Sequence, residues 1–456
     1  EEGEREMGKA VTVEVLHTSV VKPASPSPQP FLSLSPCDLM WRDYTYNRRL
    51  LFYERPVSAV SGDDEYPRFI HTLRSSLPRV LASFYPFAGR LVELPAGAAG
   101  DGTKAQLAVA CNDEGAELVE ARIHGVSFLD LKSSNFDMQP YFVQLTRWAS
   151  YTRLQEGAPL FSIQVTRFSC GSIAFGIAHS HVVADGFSLW HFMSSWVECV
   201  KGKPLSLEPS HDRTPLMVQS ALPEKAIIDW IEDVKAPAGI TTVASKVQHV
   251  VSFPKEMVEE LKTRANNVYG SYEVLCAELW KKVSKPQLVA CSRDARTSFC
   301  SVVNMRTRME PPLAVGYFGC ALLWGMASAT LGELQDEELA ATAARIRGAV
   351  RSCTSSHMQQ FIHFLELYGK DAFVPKIAAS PISLRVSSSP KFPMLSIDFG
   401  WGRPIAVRSV IVEENGKLVL YPGPSGLGSS DVCLSFPSGI MSCLHSDPSF
   451  PLYDPH

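Results

Sequence analysis

The chain has 456 residues, enough for two or three domains at roughly 150 residues each. Hydrophobic residues make up 45% and charged residues 20%, and the formal net charge is −4 with no long run of one sign, so no nucleic acid or anionic membrane is called for as a partner. Eleven cysteines are scattered without a CxxC pair, which argues against a disulfide framework and for a reducing compartment.

The first residues, EEGEREMGKA, are acidic, the opposite of a secretory signal, and Met7 is the expected natural start. Residues 11–21 alternate with period two and predict a strand; the Pro- and Ser-rich stretch 22–36 predicts extended loop. Phe69, Leu73, Leu77, Val80, Leu81 and Phe84 recur at helical spacing, with Pro78 expected to kink or split that helix. PAGAAGDGT reads as a turn before a strand at 105–113. Residues 160–168 and 172–180, joined by SCG, predict a hairpin of two buried strands. Leu189, Phe192, Met193, Trp196, Val197 and Val200 mark an amphipathic helix from Phe187.

A connection without periodicity follows at 202–216, then helices at 255–265, 272–283 and 334–350, and strands after about 393. The longest apolar run, CALLWGMASATL at 320–331, is shorter than the ~18 residues of a membrane span, so a cytosolic protein and a monomer are expected. Strands and helices alternate in both halves. That predicts an α/β protein of two domains, 1–205 and 226–456, with a crossover connection at 206–225.

The stretch GIAHSHVVADGFSLW, 176–190, carries the densest chemistry. A metal site would need further ligands, and Val183 stands where an HxHxD pattern needs a carboxylate; no HExxH occurs. A Ser-His-Asp hydrolase would need a GxSxG turn, which is absent. GWG at 400–402 lacks the third glycine of a dinucleotide fingerprint. Two readings of the segment remain open on its own residues. One is a strand-end histidine with Asp185 as a helix N-cap. The other is a general base acting on an already activated group such as a thioester.

His181-Val-Val-Ala-Asp185-Gly186 matches HxxxDG, and DFGWGRP at Asp398–Pro404 lies more than two hundred residues downstream. Together they resemble the plant BAHD acyltransferases, which use CoA thioesters. SFYPFAGRL (83–91), HDRTPL (211–216), SYEVLCAELW (271–280) and VNMRTRMEPPLAVGYFG (303–319) resemble the same family, so the likeness covers nearly the whole chain. DGFSLWHF (185–192) and the residues around DFGWG are similar to the branch with cuticle- and defence-associated members. In one departure, Cys320 stands where the family usually has Asn after GYFG.

The resemblance implies two similar chloramphenicol-acetyltransferase-like domains, with mixed sheets flanked by helices and an active-site channel at their interface. It implies acyl-CoA as co-substrate, no bound cofactor or metal, and a small-molecule alcohol or amine as acceptor. His181 would deprotonate the acceptor, which attacks the thioester carbonyl. The tetrahedral intermediate then expels CoA without a covalent acyl-enzyme. Asp185 would brace the loop by pairing with an arginine, Arg306 first and Arg308 second; His179 is read as structural. Trp401 is the candidate oxyanion donor or else a packing residue in a rigid loop. Asp398 would orient backbone, and Gly400 and Gly402 would permit the turn. Ser271, opening a helix, is a candidate CoA contact or an N-cap. Trp41, Arg42 and Tyr44 are candidates for the acceptor pocket or parts of a buried loop. A lyase on the same scaffold and a non-catalytic binding protein are the alternative functions.

Overall fold

The computed structural model describes residues 10–43, 46–56, 65–95, 106–147, 157–218, 246–289, 291–372, 383–410 and 416–450. Tyr44, most of the PAGAAGDGT turn and residues 219–225 of the connection lie outside them.

Two six-stranded sheets carry the fold. The first sets Thr12–Val21, Ala116–His124, Phe161–Arg167, Ile173–His179, Asn47–Tyr53 and Ala406–Ser409 side by side. Phe161–Arg167 and Ile173–His179 form an antiparallel hairpin in which Phe161 faces His179. Gly171, at φ +91°, turns the connection and donates its N–H to the Phe168 carbonyl. Both faces of these strands are covered, and on Phe161–Arg167 the buried Ser162, Gln164 and Thr166 make one face polar. Ile163, Val165, Phe175 and Ile177 join the core beneath the helix Gly186–Val200, while Phe168 and Ala174 pack with Phe128 and Leu131 on the other side.

The helix Gly186–Val200 lies on the helix Glu65–Ser83, where the Trp196 Nε1–H donates to Ser76 Oγ at 2.9 Å. Pro78, expected to kink or split the helix, sits inside Glu65–Ser83 without splitting it. Leu73, Leu77, Val80 and Leu81 are fully buried around it, so packing holds the helix across the missing amide.

The second sheet runs Leu322–Thr330, Arg296–Asn304, Leu384–Ser387, Lys417–Pro422, Ser430–Pro437 and Lys246–Phe253. Its edge strand Leu322–Thr330 is the run that sequence reading marked only as apolar. No helix among the described residues is long and apolar enough to cross a membrane. The helix foreseen at 334–350 is two, Leu331–Asp336 and Leu339–Ser352. Between them the Glu337 carboxylate accepts from Thr342 Oγ1 and from Arg345 Nε on the second helix, which holds the bend.

One strand departs from the division at 205 and 226. Ala406–Ser409 belongs to the second half by sequence but pairs antiparallel with Asn47–Tyr53 at the edge of the first sheet. Arg408 on that strand is fully buried, bonded to Asp431 at 2.9 Å and to the carbonyls of Asn135 and Phe136. Phe399, Trp401, Val407, Val419, Tyr421 and Cys433 likewise join the first half's core. Residues 1–205 therefore do not close their sheet or core alone.

Candidate active site

His181 stands just past the strand Ile173–His179, in a turn closed by Ser180 N–H to the Leu160 carbonyl at 2.9 Å and Val183 N–H to the Ser180 carbonyl at 3.2 Å. Val182, Val183 and Ala184 are fully buried and pin the turn to the core. His179 is buried too. Its Nε2 meets the Ala184 carbonyl at 3.2 Å, and burial, followed by the charges of His181 and Arg49, pushes its pKa down to about 3. It is a neutral strut for the turn.

His181 is partly exposed, and its ring stacks on Trp41 at 3.9 Å between centroids and 12° between planes. Trp41 stacks in turn on Trp324 at 5.6 Å. Burial pushes the His181 pKa down to about 4; a hydrogen bond to its own carbonyl and the charge of Asp185 pull upward, while Arg49 and Lys417 add to the fall. The Cys320 thiol donates to the same carbonyl at 3.0 Å and lies 3.7 Å from Nδ1. Nδ1 thus faces Cys320, while Nε2 lies on the other side of the ring.

Asp185 caps the helix Gly186–Val200: its Oδ1 accepts from Ser188 N–H at 2.9 Å. Both oxygens also accept from Arg306, Nη1 to Oδ2 at 2.7 Å and Nη2 to Oδ1 at 3.0 Å, a bidentate pair. Ala321 N–H donates to Oδ2 as well, at 3.2 Å. Burial alone would raise this carboxyl, but Arg306 outweighs it and holds the group below the usual range. Arg306 donates further to the carbonyls of Tyr317 and Gly319 and to Ser188 Oγ. Arg308, the second candidate partner, instead donates to the carbonyls of Val350 and Cys353. Gly186 lets the helix start pass close to Phe392, whose ring carbons would lie 3.2 Å from an added Cβ.

A second brace has no counterpart in the sequence reading. Asp38, fully buried in the short helix Pro36–Leu39, accepts from Arg213 Nε at 2.9 Å and from Cys320 N–H at 2.8 Å. Arg213 also donates to the Phe318 carbonyl, and its guanidinium lies where any side chain at Gly319 would stand, 2.6 Å from an added Cβ. Two buried ion pairs thus hold residues 317–321 against the His181 turn. Only the first had a signal in the sequence, through the HxxxD and VNMRTR resemblances. Asp38 and Arg213 are 175 residues apart, and no local pattern joins them.

The structure corrects the placement of Trp401. Its ring packs on Phe69 at 5.0 Å and Tyr66 at 6.4 Å, and it lines a hollow with Arg68, Thr72 and Val200. Val200 ends the helix that Asp185 begins, and its 15 residues span about 20 Å at 1.5 Å per residue. Trp401 is therefore at the far end of that helix from His181, where its indole N–H cannot meet an oxyanion formed there. The DFGWG loop is a packing element: Phe399 lies on Phe175 and Trp196. Asp398 Oδ1 accepts from the amides of Gly400 and Gly402, both at positive φ, near +100°.

Of the other candidates, Trp41 reaches the site and Arg42 does not; Arg42 is exposed beside Asp43, 3.9 Å away. Ser271 is the first residue of the helix Ser271–Ser284, whose N-cap is Gly270; its N–H is taken by Glu273 at 2.6 Å. No described contact joins Ser271 to His181. Among the described residues no cluster of three His, Cys, Asp or Glu could hold a metal.

The His181 turn is clamped by two buried ion pairs in a fold of two mixed sheets flanked by helices. The Transferase family model matches residues 11–450, and the chain belongs to that family, the BAHD acyltransferases. It is similar to a hydroxycinnamoyltransferase of Narcissus pseudonarcissus, 27% identical over 94% of this chain and 97% of that one. Anthranilate N-benzoyltransferase protein 1 of Dianthus caryophyllus is 27% identical over 95% of this chain and 98% of its own length. Among solved structures, vinorine synthase shares the fold, with a TM-score of 0.72 at 21% identity, covering 95% of this chain and 96% of its own. The chain is an acyl-CoA-dependent acyltransferase, with acyl-CoA as co-substrate.

Proposed function

We propose that this enzyme transfers an acyl group from CoA to the hydroxyl or amine of a small-molecule acceptor in plant specialised or cuticle metabolism, with His181 as the general base. The observation that carries this reading is the arrangement of the imidazole. Nδ1 faces the Cys320 thiol at 3.7 Å, the ring is partly exposed, and Nε2 on the other side of the ring is the nitrogen assigned to take the proton. Asp185 is wholly engaged by Arg306, Ser188 and Ala321, so it aims the turn and does not relay the proton.

In this mechanism Nε2 removes the acceptor proton as the oxygen or nitrogen attacks the thioester carbonyl. The tetrahedral intermediate collapses, and the CoA thiolate leaves and takes the proton back from the imidazolium. The acyl group never rests on the enzyme. A lyase needs no such acceptor, so dependence of thiol release on an added alcohol or amine separates the two. Replacement His181→Ala is expected to lower acyl transfer by about 10²–10⁴-fold. Transfer at the wild-type rate by that variant, measured as acceptor-dependent thiol release, would overturn the mechanism.

A further inference from the structure

Arg49 is a cation that the mechanism above leaves without a task. It lies on the strand Asn47–Tyr53, where Asn47 faces His179 and Arg49 faces Ile177 on one side and Ser409 on the other. Side chains alternate along a strand, so Arg49 shares the face of Leu51 and Tyr53, the face that looks into the core between the sheets. Its position is about 7 Å along the strand from the residue opposite His179. Tyr421 and Cys433 of the second sheet stand on its other side, and Tyr421 is tied to Ser409 by a hydroxyl hydrogen bond of 2.5 Å. Arg49 is therefore a residue of the space between the sheets, and both His179 and His181 feel its charge.

Three buried arginines around this turn each have a carboxylate. Arg306 has Asp185, Arg213 has Asp38, and Arg408 has Asp431. Arg49 has none among the described residues. One of its five N–H groups reaches a backbone carbonyl, that of Arg48 at 2.8 Å, and the side chain is partly exposed. Surrounding protein disfavours its charge, which pushes its pKa down. A guanidinium with its fork open in such a place is matched by a planar oxyanion that takes two parallel bonds.

Resting on the acyl-transfer reading, we propose that Arg49 is the anion subsite of the reaction channel and that this enzyme takes a carboxylate-bearing substrate. The carboxylate docks on the guanidinium while the reacting group lies at His181 Nε2. The phosphates of CoA do not suit this place, because the whole pantetheine arm separates them from the thioester that must reach His181. The carboxylate then belongs either to the acceptor, a hydroxy or amino acid, or to the far end of a dicarboxylic acyl group.

Two assay arms separate these sources. In the first, acetyl-CoA is paired with 4-hydroxybenzoate, lactate or glycine, each against its methyl ester. In the second, malonyl-CoA is compared with acetyl-CoA on methyl 4-hydroxybenzoate. The expected result is a preference for the acidic substrate in one arm, about 10-fold to 100-fold in kcat/KM, as a charged hydrogen-bonded contact supplies. Arg49→Gln should abolish that preference through KM, and Arg49→Lys should restore part of it. Equal use of acidic and neutral substrates by the wild type, or a preference that survives Arg49→Gln, overturns the proposal. Failure of the acyl-transfer reading looks different: no acceptor-dependent thiol release in any arm. The same acids are then tested by thermal shift, where a rise in Tm that Arg49→Gln removes supports the subsite and no rise overturns it.

Discussion

In the proposed mechanism His181 can act as a base only when neutral, and its surroundings set where that condition fails. Burial brings its pKa down to about 4, from an unperturbed value near 6.5. As pH falls the base is lost on protonation, so the acid limb of kcat/KM against pH is expected near 4, with a flat profile from pH 6 to 8. An inflection near 6.5 would mean the imidazole is more open to water than the structure has it. Trp401 gives a contrasting expectation. Its ring packs on Phe69 and Tyr66, far from the base, so Trp401→Phe should change kcat by less than about 10-fold, measured at saturating substrate. Loss of an oxyanion donor would cost about 10²–10³-fold. At this scale the HxxxD resemblance singled out His181 over His179, since only His181 has an aspartate four residues on. It had no means of placing the Trp41 ring on His181, because that contact joins segments 140 positions apart.

Asp185 begins the helix Gly186–Val200 and holds the strand-preceding segment 317–321 through Arg306 and Ala321. Removing one partner of a buried ion pair leaves the other charge desolvated, at a cost of about 3–5 kcal/mol. Arg306→Met is therefore expected to lower unfolding free energy in urea by that amount and to weaken catalysis with it. A loss below about 1 kcal/mol would contradict the clamp. The N-cap and the ion pair, which the sequence offered as compatible readings of Asp185, coexist on one carboxylate. Elements with strong periodicity were legible: the hairpin 160–180 and the helix after it needed only local pattern. The edge strand Leu322–Thr330 and the continuous helix through Pro78 were not. In both cases burial against neighbours, not local preference, selects the conformation.

Three histidines are held neutral by the fold: the fully buried His179 with a pKa of about 3, and the partly exposed His181 and His211 at about 4. The unfolded chain binds protons on these groups near pH 6.5, before the folded one does. Stability from this source is thus fully present above about pH 6.5 and is lost progressively as pH falls toward 4. The urea midpoint is expected to drop between pH 7 and pH 5, well before most carboxylates titrate; a midpoint unchanged over that range would count against neutral burial of the three rings.

The reaction class was legible through the resemblance that the two distant motifs carry to the BAHD acyltransferases, since the five residues from His181 to Asp185 on their own left a helix cap and a general base both open. Local hydrophobic period likewise determined the hairpin and its helix. Tertiary structure alone decided that Trp401 packs at the far end of that helix, that Asp38 and Arg213 form a second clamp, and that Ala406–Ser409 crosses into the first sheet. Each of these depends on contacts between segments far apart in the chain. Such contacts are selected by burial and charge pairing across the interface, and neither leaves a mark on neighbouring residues.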